Sequence, residues 1–156
     1  MSISPTIKSY LRKKGIDFDV VQHPRTYTSM QTAAAAHIPG DRVAKTVVLH
    51  SDEGYALAVV PSTHRVALNE VQATLHTGYD LASEDEAAEL FVDCDCGAWP
   101  PLGQAYGVST VVDSTLVDQP EVFFEAGDHM DLIHVSSRQF KKLMRHAKFA
   151  RISAHV

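Results

Sequence analysis

Two apolar β-type runs joined by a short turn constrain the fold of this chain more than any other feature. Residues 45–50 and 55–61 are rich in valine, leucine and alanine, and residues 51–54 between them read Ser-Asp-Glu-Gly. Apolar runs separated by a glycine-containing turn of this kind are typical of a β-hairpin. The chain is therefore predicted to be built around a sheet.

Helix and strand signals flank this hairpin. Residues 4–5, a serine–proline pair, open a helix that Gly15 ends, and a strand over residues 18–22 stops before His23-Pro24. The other predicted helices span residues 30–37 (capped by Ser29), 67–75 and 83–90 and start near Ser136, and the other predicted strands span residues 108–113, 122–126 and 132–136. This order predicts a mixed α+β fold in one domain (residues 1–156), with a curled, mostly antiparallel or mixed sheet surrounded by helices.

The last predicted helix combines an apolar face with a strongly basic one. Capping boxes are predicted at the starts of two helices: Ser83 with Glu86, and Ser136 with Gln139. The apolar face of the last helix consists of Phe140, Leu143, Met144 and Ala147. Its other faces carry Arg138, Lys141, Lys142 and Arg145. Such a series of bases is usually a solvated helix face, although it can also bind RNA phosphates. The acidic residues cluster elsewhere, at residues 80–95. The net charge of -5 therefore hides an uneven distribution of charge along the chain.

Composition argues against several classes of protein. No apolar run approaches the roughly 20 residues needed to cross a bilayer, and the amphipathic first segment makes a poor signal peptide. Cys94 and Cys96 are too close in sequence for an unstrained disulfide, and their spacing does not match that of a zinc site. No nucleophile-elbow, Walker or dinucleotide-binding motif is present. We therefore expect a reduced, cytoplasmic protein with no metal, cofactor or membrane attachment.

Lys45 stands at the entry of an apolar strand, where a lysine is unusual. One interpretation is an edge lysine whose stem packs on the sheet while its ammonium stays in water. The other is an ammonium directed into a pocket, where it binds a carbonyl, phosphate or ribose oxygen. Local sequence alone favours the first interpretation.

Two glycine-containing segments are further candidates. The glycine–proline loop (residues 97–103) reads Gly-Ala-Trp-Pro-Pro-Leu-Gly, and its prolines stiffen a segment whose remaining N–H groups suit an oxyanion hole. A rigid surface turn in which Trp99 covers a core edge explains the same residues equally well. The tripeptide Gly127-Asp128-His129 is either a hairpin turn with a solvent-facing histidine or a pocket rim whose histidine binds substrate or water.

The order of these segments resembles the YbaK family of aminoacyl-tRNA editing domains, which are relatives of the editing insertion of bacterial prolyl-tRNA synthetases. The matching segments are His23-Pro24, Tyr27-Thr28-Ser29, residues 44–49, residues 59–61, the G-x-x-x-P-x-G pattern of the glycine–proline loop and Gly127-x-His129. The resemblance covers roughly residues 7–149. Each motif alone is only modestly specific. The order and spacing of the motifs together are specific to the family.

The resemblance implies hydrolysis of the ester that joins an amino acid to the terminal ribose of tRNA. It implies Lys45 as the catalytic residue, supplying charge for phosphate or ribose oxygens of the terminal adenosine. It implies these substrate-binding residues: Gly97, Pro101, Leu102, Gly103, Gly127 and His129. Because an aminoacyl ester is already activated, such a site needs only to hold the carbonyl, stabilise its oxyanion and admit one water, which a free ribose hydroxyl helps to activate.

Three functions are compatible with the sequence. The first is a trans-editing deacylase that removes alanine, serine or cysteine from tRNAPro, with or without an aminoacyl-tRNA synthetase as partner. The second is a non-catalytic tRNA- or synthetase-binding module of the same fold, and the third is a hydrolase of another small ester. The sequence does not identify the amino acid, since apolar pockets separate similar side chains by only about 1–3 kcal/mol per methylene.

Overall fold

The computed structural model describes residues 3–156, which form a mixed sheet with helices on both faces. Its helices are α1 (Pro5–Lys13), α2 (Ser29–Ala35), α3 (Leu68–Leu75), α4 (Glu84–Leu90) and α5 (Ser137–Leu143). Its strands are β1 (Asp19–Gln22), β2 (Val43–Ser51), β3 (Gly54–Pro61), β4 (His64–Val66), β5 (Asp80–Leu81), β6 (Ser109–Asp113), β7 (Glu121–Glu125), β8 (Asp131–Ser136), β9 (Lys148–Ala150) and β10 (Ser153–His155). Across this described part of the chain, no helix has the length and apolarity needed to span a membrane.

The main sheet has the strand order β1-β8-β7-β2-β3-β6-β9, and β5 also pairs with β2. The predicted hairpin is confirmed as the antiparallel pair β2–β3. The pairs β2–β7, β3–β6 and β6–β9 are parallel, so the sheet is mixed. A separate two-stranded sheet joins β4 to β10. The predicted mixed sheet surrounded by helices is thus confirmed.

Side-chain alternation along β3 divides the core between the two faces of the sheet. On one face, Leu57 and Val59 pack with α1, α4 and α5. On the other face, Ala56, Ala58 and Val60 pack with α3, while α2 covers the part of that face formed by β7 and β8. Because β3 is covered on both faces, nearly all of its side chains are apolar.

Two details of helix capping differ from the sequence prediction. Thr28, rather than Ser29, caps α2, because its Oγ1 accepts a hydrogen bond of 3.1 Å from the Gln31 N–H. Ser136 caps α5 as predicted, accepting from the Gln139 N–H at 3.2 Å. Gln139 does not complete the box, since its Oε1 has no hydrogen-bond partner among residues 3–156. The predicted capping box of α4 is confirmed.

Helix α5 is shorter than its apolar spacing predicts. It ends at Leu143, the chain turns over residues 144–147, and β9 follows beside β6. Phe140 and Met144 are nevertheless buried with Leu143 in one cluster, as predicted for the apolar face. The spacing therefore predicted burial correctly and helix length incorrectly, because a tight turn can bury the same residues.

Candidate active site

A gap in the sheet beside β2 creates a cavity that gathers several of the candidate residues. Strand β2 pairs with β7 up to Ala44 and with β5 from Leu49, so the stretch between them has no strand partner on that edge within residues 3–156. Lys45 and Thr46 therefore line an opening. The cavity measures about 440 Å³, within the usual range for small ligands. Its lining comprises residues 27–30, residues 44–46, Ser62, Gly97, Trp99 and Glu125.

Lys45 is half-buried at this cavity. Its Nζ donates a hydrogen bond of 2.6 Å to the carbonyl oxygen of His64 in β4. Burial lowers the pKa of Lys45, and the positive charge of Arg65 lowers it further. The ammonium is thus a partly desolvated point charge, which attracts an anionic or carbonyl oxygen more strongly than a fully solvated lysine does.

His64, whose carbonyl oxygen accepts the hydrogen bond from Lys45, is held in place by a series of polar contacts with Ser153 and Asp113. Ser153 Oγ donates a hydrogen bond of 2.5 Å to the buried carboxylate of Asp113. Because this uses the only hydroxyl hydrogen, Nδ1 of His64 donates to Ser153 Oγ, 2.8 Å away. Burial alone would raise the pKa of Asp113, but its hydrogen bonds, led by that from Ser153, lower it. The pairing of β10 with β4 therefore helps to position the partner of Lys45.

The glycine–proline loop reaches the cavity at its first residues. Gly97 has φ +86°, a conformation that glycine adopts without strain. Trp99 both lines the cavity and stacks on Phe91, with ring centroids 5.3 Å apart. The amides of Gly97 and Trp99 have no hydrogen-bond acceptor within the described residues, whereas that of Ala98 donates to the Asp95 carbonyl at 3.0 Å. Two unbonded donors at one cavity are suited to stabilising an oxyanion.

The turn at residues 127–129 supports this loop from behind. The Gly127 amide donates to the Ala98 carbonyl at 3.1 Å, and the Gly127 carbonyl accepts from the Asp95 amide at 2.8 Å. His129 is buried, and its Nε2 lies 2.7 Å from the Cys96 carbonyl oxygen. The histidine is therefore not the solvent-facing residue of a simple hairpin turn; it holds the loop in place beside the cavity.

Glu125 also lines the cavity, although none of the sequence motifs includes it. Its side chain, at the end of β7, is 12% exposed. Burial raises the pKa of Glu125 to about 7, a hydrogen bond from Thr32 opposes this shift, and the charge of Asp128 adds to it. One signal was available: Glu125 follows buried Phe123 by two residues, so both lie on the same face of β7.

Three of the predicted substrate-binding residues lie away from this cavity. Pro101 and Leu102 are buried, and Leu102 packs in the core with α1 and α5. Leu102 and Gly103 line a separate cavity of about 260 Å³ between α1 and the end of α5. The Gly103 amide donates to the Pro101 carbonyl at 3.1 Å, so it is not free to bind a ligand. The structure therefore does not bring these three residues together with Lys45.

The predicted RNA-binding bases are exposed, and one of them lies near a lysine at the end of α1. Three of the bases lie on α5 and one lies in the turn after it: Arg138, Lys141, Lys142 and Arg145. Burial raises the pKa of Tyr10 in α1, and the positive charge of Arg145 opposes this shift. Lys14 Nζ lies 5.6 Å from the centre of the Tyr10 ring. Lys14 and these four bases are called the α1–α5 basic surface below.

Two further cations flank the cavity itself. Arg25 lies 5.8 Å from the centre of the ring of Tyr27, a cavity residue, and Arg65 is close enough to Lys45 to lower its pKa. Both arginines are exposed. Local sequence does not single them out, because neither belongs to a basic run.

The two cysteines are free thiols. Cys96 is exposed, whereas burial raises the pKa of the half-buried Cys94 to about 12, so Cys94 is not a thiolate nucleophile near neutral pH. Within residues 3–156, no three His, Cys, Asp or Glu side chains are grouped so as to hold a metal ion.

Solved structures share this fold over nearly the whole chain. A hypothetical protein is 21% identical, with a TM-score of 0.84, and the match covers 96% of this chain and 99% of that one. A protein described as a proposed trans-editing enzyme for prolyl-tRNA synthetase is 23% identical, with a TM-score of 0.84 and coverage of 98% and 99%. A proposed signal transduction protein from Marinobacter aquaeolei VT8 is 15% identical, with a TM-score of 0.79, and the match covers 98% of this chain but 31% of that one. No curated protein matches the chain significantly in sequence.

At these identities, the structural neighbours show the fold alone. The sequence comparison with protein families is more specific, because the model of the aminoacyl-tRNA editing domain matches residues 23–143. That match includes Lys45, Gly97, Glu125 and His129, which surround or support the cavity. The protein therefore belongs to the family of aminoacyl-tRNA editing domains.

Proposed function

We propose that the protein is a trans-editing deacylase that hydrolyses the ester of mischarged tRNAPro carrying alanine, serine or cysteine. One observation carries the proposal: Lys45, Glu125, Gly97 and Trp99 line the same cavity, and the amides of Gly97 and Trp99 have no hydrogen-bond acceptor among the described residues. A structural neighbour described as a proposed trans-editing enzyme for prolyl-tRNA synthetase is consistent with this substrate and with a synthetase as partner. Such a substrate implies that the protein acts in the cytoplasm.

The cavity residues divide the work of ester hydrolysis. Lys45 binds ribose or phosphate oxygens of the terminal adenosine, which places the ester carbonyl beside the glycine–proline loop. The Gly97 and Trp99 amides then donate to the oxyanion that forms when water attacks the carbonyl carbon. Because the substrate is an activated ester, positioning and oxyanion stabilisation suffice without a serine or cysteine nucleophile.

A deacylation panel tests this function directly. Purified protein is incubated with tRNAPro charged with alanine, serine, cysteine or proline, and release of the amino acid is followed over time. We expect hydrolysis of at least one of the three wrong esters, with prolyl-tRNAPro spared. Binding of all four tRNAs without hydrolysis would instead support the non-catalytic module.

The α1–α5 basic surface is expected to dock the tRNA body. Reversing two of its charges, with Lys142→Glu and Arg145→Glu, should raise the KM for full-length aminoacyl-tRNA about tenfold or more and reduce the salt slope of binding by about two, because two phosphate contacts are lost. Steady-state kinetics at several salt concentrations measures both effects.

The matched control for this double variant is a minimal substrate, an aminoacylated adenosine without a tRNA body. Its hydrolysis should be nearly unchanged, because phosphate contacts position the RNA and do not take part in the chemistry. An unchanged KM and salt slope with full-length tRNA would contradict docking here. The cavity arginines Arg25 and Arg65 would then be the next surface to test.

A further inference from the structure

Glu125 and His129 form a buried pair on one side of the cavity. Glu125 Oε1 lies 3.7 Å from His129 Nδ1, and the two side chains are 12% and 4% exposed. Glu125 lines the cavity, whereas His129 lies behind Gly97, where a Cβ on that glycine would be 3.5 Å from the imidazole ring. Water or substrate in the cavity can therefore reach the carboxyl group, with the imidazole behind it.

One hydrogen bond fixes the His129 imidazole behind Glu125. The Cys96 carbonyl can only accept, so His129 Nε2, 2.7 Å away, carries a hydrogen. Nδ1 is buried and has no hydrogen-bond partner within the described residues. Glu125 Oε1 lies 3.7 Å from Nδ1, which is too far for a hydrogen bond, so the imidazole contacts the carboxyl group without sharing a proton with it.

We propose that Glu125 is the general base of the hydrolysis and that His129, packed behind it, is a positioning residue. This inference rests on the proposed deacylase function and adds a residue to it. The oxygen of water forms a bond to the ester carbonyl carbon while Glu125 takes one water proton. When the bond from that carbon to the ribose oxygen breaks, the same proton passes to the ribose oxygen, and the released amino acid loses its carboxyl proton to solvent.

The surroundings of Glu125 suit a base that works near neutral pH. Burial raises the pKa of Glu125 to about 7, where a base is most effective in neutral solution. The titratable groups facing it are Lys45 from β2, Tyr27 before α2, and Asp128 and His129 from the turn after β7; Thr32 of α2 donates to it at 3.4 Å. The negative charge of Asp128 favours the protonated form of Glu125. Since only the carboxylate accepts a proton, kcat should rise with pH to about 7 and then level off.

The test compares Glu125→Gln with Glu121→Gln. Glu121 lies at the other end of β7 and pairs with Arg42 outside the cavity, so its variant controls for the loss of a strand carboxylate. With alanyl-, seryl- or cysteinyl-tRNAPro, whichever the wild type hydrolyses, Glu125→Gln should lower kcat about 100-fold, abolish its rise with pH and leave KM nearly unchanged. Glu121→Gln should keep the wild-type kcat and pH profile.

Each of the other outcomes would contradict the proposal, and these outcomes can be distinguished from one another. A raised KM with an unchanged kcat would overturn it and indicate that Glu125 instead holds the α-ammonium of the amino acid. A wild-type kcat in Glu125→Gln would also overturn it, with the deacylase function intact. A wild-type protein that hydrolyses no ester would overturn both the function and the base.

The folding of Glu125→Gln can be checked separately from its activity. Because the folded pKa of Glu125 is raised, ionising this carboxyl destabilises the fold as the pH rises through about 7. Glutamine lacks this cost and can still accept from Thr32, so Glu125→Gln should melt no lower than wild type in alkaline solution. If it does not fold, Glu125→Asp keeps the carboxylate farther from the cavity and should show a lowered kcat that still rises with pH; a flat profile would overturn the proposal.

Discussion

Replacing Lys45 with alanine is expected to lower kcat/KM for aminoacyl-tRNA hydrolysis by at least about 100-fold, the order of loss that follows when a substrate-positioning contact is removed and the ester shifts by about 1 Å. The lysine sits where the β2 edge has no strand partner among the described residues, and its partly desolvated ammonium has only the His64 carbonyl as a protein partner there. A substrate oxygen therefore gains a strong cationic partner in this cavity. Single-turnover deacylation of the wrongly charged tRNAPro measures the effect.

Three variants separate charge from volume and from folding. Lys45→Met keeps most of the side-chain volume and should be as inactive as alanine, while Lys45→Arg should also be poor because a planar fork does not replace a point charge. Lys148 provides the matched control, because it is an exposed strand lysine whose Nζ also donates to a backbone carbonyl, that of Thr74 at 3.5 Å. Lys148→Ala should retain wild-type activity. Near-wild-type activity of Lys45→Ala would end the assignment of Lys45 as the catalytic residue.

Local sequence signals predicted the elements that form through contacts between residues close together in the sequence. The β2–β3 hairpin follows from two apolar runs and a turn, and the start of α4 follows from a serine and a glutamate three residues apart. The predicted length of α5 was wrong. Apolar residues at helical spacing indicate burial, and the turn at residues 144–147 buries such residues without continuing the helix. Short strands such as β4 and β10 were missed, because each has only three residues and pairs with a distant segment.

The candidate site was less predictable because distant pairing creates it. The cavity exists where β2 leaves β7 before it meets β5, and no local pattern shows that these strands are neighbours. The resemblance identified Lys45 and Gly97, which line the cavity, but it could not reveal that Gly103 turns into the core. Glu125 was not predicted, because an acidic residue at the end of a strand is common and its burial can be seen only in the folded structure.

Replacing Gly97 with valine is expected to lower kcat by about 10²–10³-fold, the typical cost of removing an oxyanion donor. The reason is the backbone, since φ at Gly97 is +86° and a β-branched residue strongly disfavours this conformation. Space is not the obstacle, because a Cβ there would lie 3.5 Å from the His129 ring, an ordinary contact. The peptide should rotate to relieve the strain and carry its N–H group away from the ester. Deacylation kinetics and thermal unfolding of the same sample measure both consequences.

Gly103→Ala is the matched control, because Gly103 belongs to the same loop and has the opposite role. A Cβ at Gly103 would collide with Thr110 and lie 2.9 Å from the Val108 carbonyl oxygen, so overpacking should cost about 1–3 kcal/mol of folding stability. Its amide already donates to Pro101, so the remaining folded protein should keep its kcat. The pair therefore separates a loop amide that acts on the ester from a loop glycine that permits packing. A folded Gly97→Val protein with wild-type kcat, or a stable Gly103→Ala protein without activity, would show that the oxyanion donors lie elsewhere.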